Sequence, residues 1–316
     1  MDKPFRTYDE LIIMLRDEKN LTIPDENRVK YLLKKHSYFS LVSGYKSLFK
    51  DQNGKYKEGT TIEDLFALFE FDDRLREIFF RRIQSIEKHI KSLLAYEFVS
   101  KYGEGQKEYL DPAHYLIKGN TDKETDARCK EIRKLIETLE DTIRLPTQRK
   151  YIEHQKTKHN NVPLWAAIKA ITFGTTSKMY SFCYQDVQAA ISKEFQGVNE
   201  TQLERMLDYL TLVRNVCAHN ERLYDYQSGK RAIKAMPIHQ DLNIGKKKTY
   251  YKKGQRDLFA AVICFKYLLE ENEYNEFIDE VDAAINQLMA DTKMIQRTKI
   301  LSCMGFPTNW KDSVRM

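Results

Sequence analysis

Apolar residues recur at intervals of three and four along most of this chain, the spacing that gathers them on one face of a helix. The longest such run passes from Leu65 through Phe69, Asp72, Phe79, Ile86 and Ile90 to Leu94, and nothing breaks it before Gly103. Thr60-Thr61-Ile62-Glu63 has the form of a capping box opening it. A helix from about 61 to 102 would be roughly 60 Å long at 1.5 Å per residue. Such a helix spans a whole domain and packs along other long helices or a second subunit. Thr7-Tyr8-Asp9-Glu10 is another capping box, followed by Leu11, Ile12 and Leu15. Asp25 starts a second helix on Val29, Leu32 and Leu33, and Asn53-Gly54 between Phe49 and Tyr56 predicts a small hairpin.

Further on, the charged stretch 116–145 has helical period and polar flanks, as a solvated arm would. Pro163-Leu164-Trp165 begins a helix running through Ile168 and Ile171 to Phe173-Gly174, and Thr175-Thr176-Ser177 caps the next. The Trp165 and Phe79 stripes read as core. Residues 200–222 carry Leu203, Leu207, Leu210 and Val213 on one face. Asp257 caps an apolar helix over 258–269, and Phe277, Val281, Ile285 and Leu288 mark the last amphipathic one.

Composition agrees with this helical reading. In 316 residues there are only 12 Gly and 7 Pro, too few turn residues for many short strands. The fold class expected is all-α. No stretch of 18 apolar residues marks a membrane span, and the N-terminus lacks the apolar core of a signal peptide, so a cytoplasmic location is expected. Five scattered cysteines with no C-x-x-C argue against a disulfide framework or a zinc ribbon. Charge changes the picture more. Residues 230–256 hold nine basic side chains against Asp241 alone, a balance of +8; the chain totals +6, so the rest sums to −2. Within that segment Tyr250 and Tyr251 stand between Lys246-Lys247-Lys248 and Lys252-Lys253. Lysines follow phosphates and tyrosines stack on unpaired bases, which suits RNA; a solvated charged loop is the competing reading.

Chemistry concentrates at Arg214-Asn215-Val216-Cys217-Ala218-His219-Asn220-Glu221-Arg222. Asn215 and His219 are i and i+4 and share a helix face. Arg214 is about 140° round from His219 and reaches the same place through its long side chain or at a helix end. Imidazole exchanges a proton near neutral pH, guanidinium holds phosphate oxygens with two parallel bonds, and Asn orients either. Such a set can cleave RNA without metal, the 2′-OH attacking the neighbouring phosphorus. From spacing alone, exposed residues at a helix end are the leading explanation. His154 and His159 lack convergent Cys or Asp, so no metal and no cofactor is expected, and His36 and His89 read as structural.

The string 214–219 resembles the R-x4-H signature of HEPN ribonucleases. With Ala218 before the histidine and Arg222 after it, the string is similar to the AbiD/AbiF-like abortive-infection family. Tyr38-Phe39-Ser40-Leu41-Val42-Ser43-Gly44-Tyr45, Phe71-Asp72-Asp73-Arg74-Leu75-Arg76, Trp165 with Phe173-Gly174, and Met304-Gly305-Phe306-Pro307-Thr308-Asn309-Trp310 match that family's other segments in order. The resemblance implies an all-α HEPN-type bundle with a small N-terminal helical subdomain over 1–58. A helical domain over 59–295, carrying the basic loop 230–256, and a C-terminal tail over 296–316 that packs on it would follow. It implies a homodimer whose two motifs face one cleft, with Arg214, Asn215 and His219 catalytic. It further implies phage defence by RNA cleavage. The alternative in the same family is a noncatalytic module holding a structured noncoding RNA. Relatives often carry Glu-x-x-x-Arg on the long helix; here it is Glu87-x-x-x-Lys91, which keeps the charge but not the planar fork. Glu87 and Lys91 then either support the site, with Arg222, or form a surface pair.

Overall fold

The computed structural model describes residues 4–144 and 149–315, with the side chains of residues 312 and 313 left aside. The chain begins with α1 (Tyr8–Ile13), α2 (Glu26–His36), α3 (Ile62–Tyr102) and α4 (Gln106–Leu110). It continues through α5 (Asp122–Arg144), α6 (Lys150–His159), α7 (Leu164–Ala167), α8 (Phe173–Phe182), α9 (Gln185–Ser192) and α10 (Glu200–Ala218). Then come α11 (Ile238–Asp241), a hairpin of β1 (Lys246–Lys247) and β2 (Tyr250–Tyr251), α12 (Leu258–Leu268), α13 (Glu271–Asp291), α14 (Arg297–Met304) and α15 (Trp310–Val314). The fold is all-α apart from that hairpin.

The spine is α3, 41 residues long. It contains neither Gly nor Pro, so nothing interrupts its hydrogen-bond ladder. Helices α13, α10, α9, α8 and α7 pack along it. Phe79 is fully buried and meets Phe277 edge-on at 5.1 Å. Helix α12 is apolar on every face but that of Lys266 and correspondingly buried, with Phe265 against both rings. Truncating Phe79 to Ala would cost about 3–5 kcal/mol. The N-terminal helices share the same continuous core through Leu15, Leu33 and Leu41. At the other end Trp310 packs on Phe306, and Phe306 on Phe259 of α12.

Several local expectations need correction. The capping box of α3 lies one residue later: Asp64 accepts from the Thr61 N–H and hydroxyl, both at 2.8 Å. The Thr22 N–H binds the Thr60 carbonyl and Thr61 is extended, so the helix starts after Thr61. The charged stretch 116–145 is no solvated arm. Its helix, α5, buries Ile132, Leu135, Ile136 and Leu139 against α4, α7 and α8; Leu145 lies outside the described residues. The helix predicted through Ile171 breaks there into one turn, α7, and a short 3-10 turn. Thr172, not 175–177, caps α8 by accepting from the Thr175 N–H at 3.2 Å. The Asn53-Gly54 turn closes a single bridge between Lys50 and Tyr56. Trp165, expected in the core, is 51% exposed.

Candidate functional site

Helix α10 presents Leu203, Leu207, Leu210 and Val213 to the core and stops at Ala218, four residues short of Arg222. What stops it is Asn220. Its φ of 53° is left-handed, a conformation Asn tolerates better than most side chains. The Glu221 N–H then returns to the Val216 carbonyl at 3.0 Å and the Asn220 N–H to the Cys217 carbonyl at 3.3 Å, which satisfies the last carbonyls. His219 is therefore the C-terminal cap of the helix, φ −99°, and it is exposed. Asn215, one turn earlier, is exposed as well. The two share one end of the helix. Cys217, between them in sequence, faces the core, and burial pushes its thiol up to about 12. It packs rather than reacts.

The chain after His219 is clamped by two distant segments, α3 and the stretch 38–45. The Asp72 carboxylate, fully buried, accepts the N–H groups of Leu223 at 3.1 Å and Tyr224 at 2.7 Å. It also accepts the Tyr45 hydroxyl at 2.7 Å and the Arg76 guanidinium at 2.7 Å. Arg76 in turn donates to the Glu221 carbonyl at 3.3 Å and to Asp73 at 2.8 Å. Burial pushes the Asp72 carboxyl above the usual carboxylate range, and the Arg76 charge with the hydrogen bonds from Tyr45, Leu223 and Tyr224 offsets this only in part. Tyr45 stacks on Tyr224 at 6.1 Å. Arg222 donates to Asp225 and to the Gly44 carbonyl, so it fastens this loop to the segment 38–45 rather than standing free beside His219. Sequence reasoning misses Asp72, Arg76 and Tyr45 as site residues. The signal for them is a carboxylate inside the apolar stripe of α3, with an arginine four residues on.

Arg214 points elsewhere. Its guanidinium lies over the Phe80 ring at 5.6 Å and lines a cavity of about 960 Å3 between α3, α7 and α10. Among the described residues no carboxylate pairs with it. Glu87 and Lys91 line the same cavity. They are bonded at 2.7 Å with side chains only 17% and 12% exposed, so the pair is half-buried rather than a surface one. Lys91 also donates at 2.6 Å to the Ile171 carbonyl, which the helix break leaves outside the helical ladder. Its ammonium is thus committed. Arg214, Glu87 and Lys91 are brought to one place, while Asn215 and His219 do not line that cavity.

The basic hairpin joins neither group. The chain leading to it returns along α10, with Arg231 on Asp208 at 3.0 Å and Gln202 reaching the Ala235 carbonyl at 3.5 Å, away from His219. Lys247, Lys248 and Lys252 are exposed. Lys253 is tied to the Phe306 carbonyl at 2.8 Å. Of the two tyrosines, Tyr250 is 45% exposed with Arg256 at 4.1 Å over its ring. Tyr251 is buried, stacked on His239 at 4.6 Å with Lys246 at 4.8 Å, so its faces are not available to a base. Among the described residues no three His, Cys, Asp or Glu side chains converge as a metal site, and no helix is long and apolar enough to cross a membrane.

The family model described as Abi-like protein matches residues 31–225, well over half of the chain. That span takes in Tyr45, Asp72, Arg76 and the whole of α10, and ends on Asp225, the partner of Arg222. No curated protein and no solved structure matches the chain. The chain belongs to the Abi-like family, whose name is that of abortive infection.

Proposed function

We propose that this Abi-like protein is a metal-independent HEPN endoribonuclease of bacterial anti-phage defence, acting as a homodimer in the cytoplasm. The observation that carries the reading is Arg214: a guanidinium steadied by an aromatic face and paired with no acid among the described residues is a ready receptor for a phosphate. Five residues on, an exposed imidazole stands at a helix end whose position is set by a buried network. In this reading Arg214 holds the scissile phosphate and stabilises the charge that develops on it. The ribose 2′-oxygen attacks phosphorus, its proton passing to an imidazole, and the P–O5′ bond breaks as O5′ takes a proton. The products are a 2′,3′-cyclic phosphate and a 5′-hydroxyl. Asn215, on the face of His219, positions the imidazole or the phosphate.

One feature favours the dimer and also keeps a second reading alive. Among the described residues the His219 ring has no hydrogen-bond partner, whereas a general acid–base histidine is normally oriented by one. A second copy would supply both an orienting group and the other imidazole that two proton transfers need. Without it, the same surface would serve a noncatalytic module that holds a structured RNA. The test is cleavage of RNA by the purified protein in EDTA. Loss of cutting with retained binding in His219→Ala supports the enzyme; unchanged cutting in that variant would sink it.

A further inference from the structure

The face of α3 beside Arg214 is a long stripe that no other helix covers among the described residues. Gln84, Lys88, Ser92 and Tyr96 stand at intervals of four along it, all exposed. Across the 960 Å3 cavity stands Trp165, on the single turn of α7. Trp165 is 51% exposed and Tyr96 70%. Two large rings facing solvent across a cavity are unusual in a folded chain unless something covers them.

Charge says what that something is. Four cations line the cavity, Lys88, Lys91, Lys169 and Arg214, against Glu87 alone, whose carboxylate Lys91 already holds. Lys88 has no acidic partner among the described residues. Lys169 rests on the Tyr151 ring at 5.2 Å and Arg214 on Phe80, so both heads are placed without being neutralised. A second apolar protein face would leave these charges desolvated and unpaired, which is costly. Aromatic planes interleaved with free cations suit an anion that carries flat rings: a strand of unpaired nucleotides, bases on the rings and phosphates on the cations.

We propose that this groove binds unpaired RNA nucleotides flanking the cut, with Trp165 and Tyr96 as stacking planes and Lys88 and Lys169 as phosphate ligands leading to Arg214. The inference rests on the reading of Arg214 as a phosphate receptor and adds the side chains that grip the strand beside it. The break at Ile171 acquires a purpose here. Lys91, by holding the freed carbonyl, fixes the short helix that carries Trp165 against α3.

The test uses the full chain carrying His219→Ala, so that binding is read without cutting. Trp165 is one of two tryptophans, and Trp310 is buried at 1% exposure, so quenching of the intrinsic fluorescence by an oligo(U) strand reports on Trp165. We expect saturable quenching by the single strand and little by a duplex of the same length. Trp165→Ala should weaken binding, followed by anisotropy of a labelled strand, about five- to 150-fold. Lys88→Gln with Lys169→Gln should lower the log–log salt slope by about 0.7 for each phosphate no longer neutralised. Thermal melting checks that each variant folds; if Trp165→Ala does not, Tyr96→Ala takes its place. Wild-type affinity and salt slope in the folded groove variants would overturn the groove while leaving the ribonuclease reading intact. Conversely, weakened binding in these variants with no cutting by the His219 protein would sustain the groove and remove the enzyme. A shift from dimer to monomer in Trp165→Ala by sedimentation, with RNA affinity unchanged, would assign the rings to a subunit interface and also overturn the proposal.

Discussion

The Asp72 carboxylate accepts the backbone N–H of Tyr224 at 2.7 Å across 152 positions of sequence. That bond joins the spine to the loop just beyond His219. With Tyr45, Arg76 and Leu223 it makes one buried knot from three stretches of chain. Two backbone donors that follow a left-handed helix end would otherwise be buried without partners. The place of His219 is thus decided by residues that do no chemistry.

Asp72→Ala should therefore be severe. It leaves two backbone donors unpaired in the core and takes from Arg76 its buried partner, with only Asp73 remaining. A loss of about 3–5 kcal/mol in unfolding free energy is expected, read from urea denaturation. Asp72→Leu should not rescue it, because the orphaned donors remain. A loss below about 1 kcal/mol would mean the knot is not holding the loop.

How legible each feature is in the sequence varies with the kind of cause. Helix α3 is readable almost to the residue, since an unbroken stripe without Gly or Pro has one interpretation. Its cap is not, because Thr60 with Glu63 and Thr61 with Asp64 both fit the template, and Thr22 decides between them from a distant turn of the chain. The break at Ile171 has no local breaker. Its carbonyl is tolerated outside the ladder because Lys91, 80 positions distant, meets it. Trp165 follows the period of a helix that ends too soon to bury it. Asp72 stands in the apolar stripe of α3, but the donors that justify it lie far along the chain. A spacing motif marks Arg214, Asn215 and His219, and it says nothing of Phe80 or of Asn220 as the stop.

Asn220 offers a sharper check on local geometry. Asn220→Gly accepts the left-handed φ freely and should keep stability within a few tenths of a kcal/mol. Asn220→Val should cost about 1–2 kcal/mol or more, because a β-branched side chain resists that region. Thermal melting of the two variants compares them directly. Equal melting would show that the helix end relaxes and that His219 is not pinned.

Asp257 should make stability depend on pH. It stands at the start of α12, where the Gly254 N–H reaches its carboxylate at 2.9 Å, and burial pushes its pKa up to about 7. An unfolded Asp titrates near 3.9. Between about pH 4 and 7 the folded protein holds this proton and the unfolded chain does not, so stability falls as pH rises through that window and stays low above it. The component is roughly 4 kcal/mol at most, from about three pKa units. In Asp257→Asn it should vanish. Urea titrations at pH 5, 6 and 7 give the slope for each protein, and parallel slopes would show that Asp257 is ionised throughout.

The basic hairpin should contribute to RNA affinity unevenly. Lys246, Lys247, Lys248 and Lys252 are exposed, but Lys246 lies on the Tyr251 ring, and the half-buried Lys253 is tied to Phe306. Replacing Lys247, Lys248 and Lys252, which rest on no ring or carbonyl among the described residues, by Gln should lower the log–log salt slope by up to about 2, at roughly 0.7 per phosphate neutralised on a single strand. Replacing Lys246 and Lys253 should change it less and lower the melting temperature more. An unchanged slope in the triple variant would make the hairpin a solvated loop.

The last expectation concerns the chemistry of the cut. Arg214 and His219 are assigned different tasks, and their conservative variants should separate them. Arg214→Lys keeps a charge over Phe80 but loses the two-pronged grip on phosphate, so cutting and affinity should both fall. Arg214→Ala should weaken them further. His219→Gln removes the proton carrier and should slow cutting by about 10²–10⁴-fold with affinity unchanged. A substrate with a single 2′-deoxy sugar at the cut should bind and stay whole, because the nucleophile is gone. The fragments from normal RNA should end in 2′,3′-cyclic phosphates and begin with 5′-hydroxyls, and EDTA should leave the rate as it was. Labelled strands resolved on a gel, with end groups tested by kinase and phosphatase, read all of this. Cutting at the deoxy position, or 3′-hydroxyl ends, would place the chemistry on other residues than Arg214 and His219.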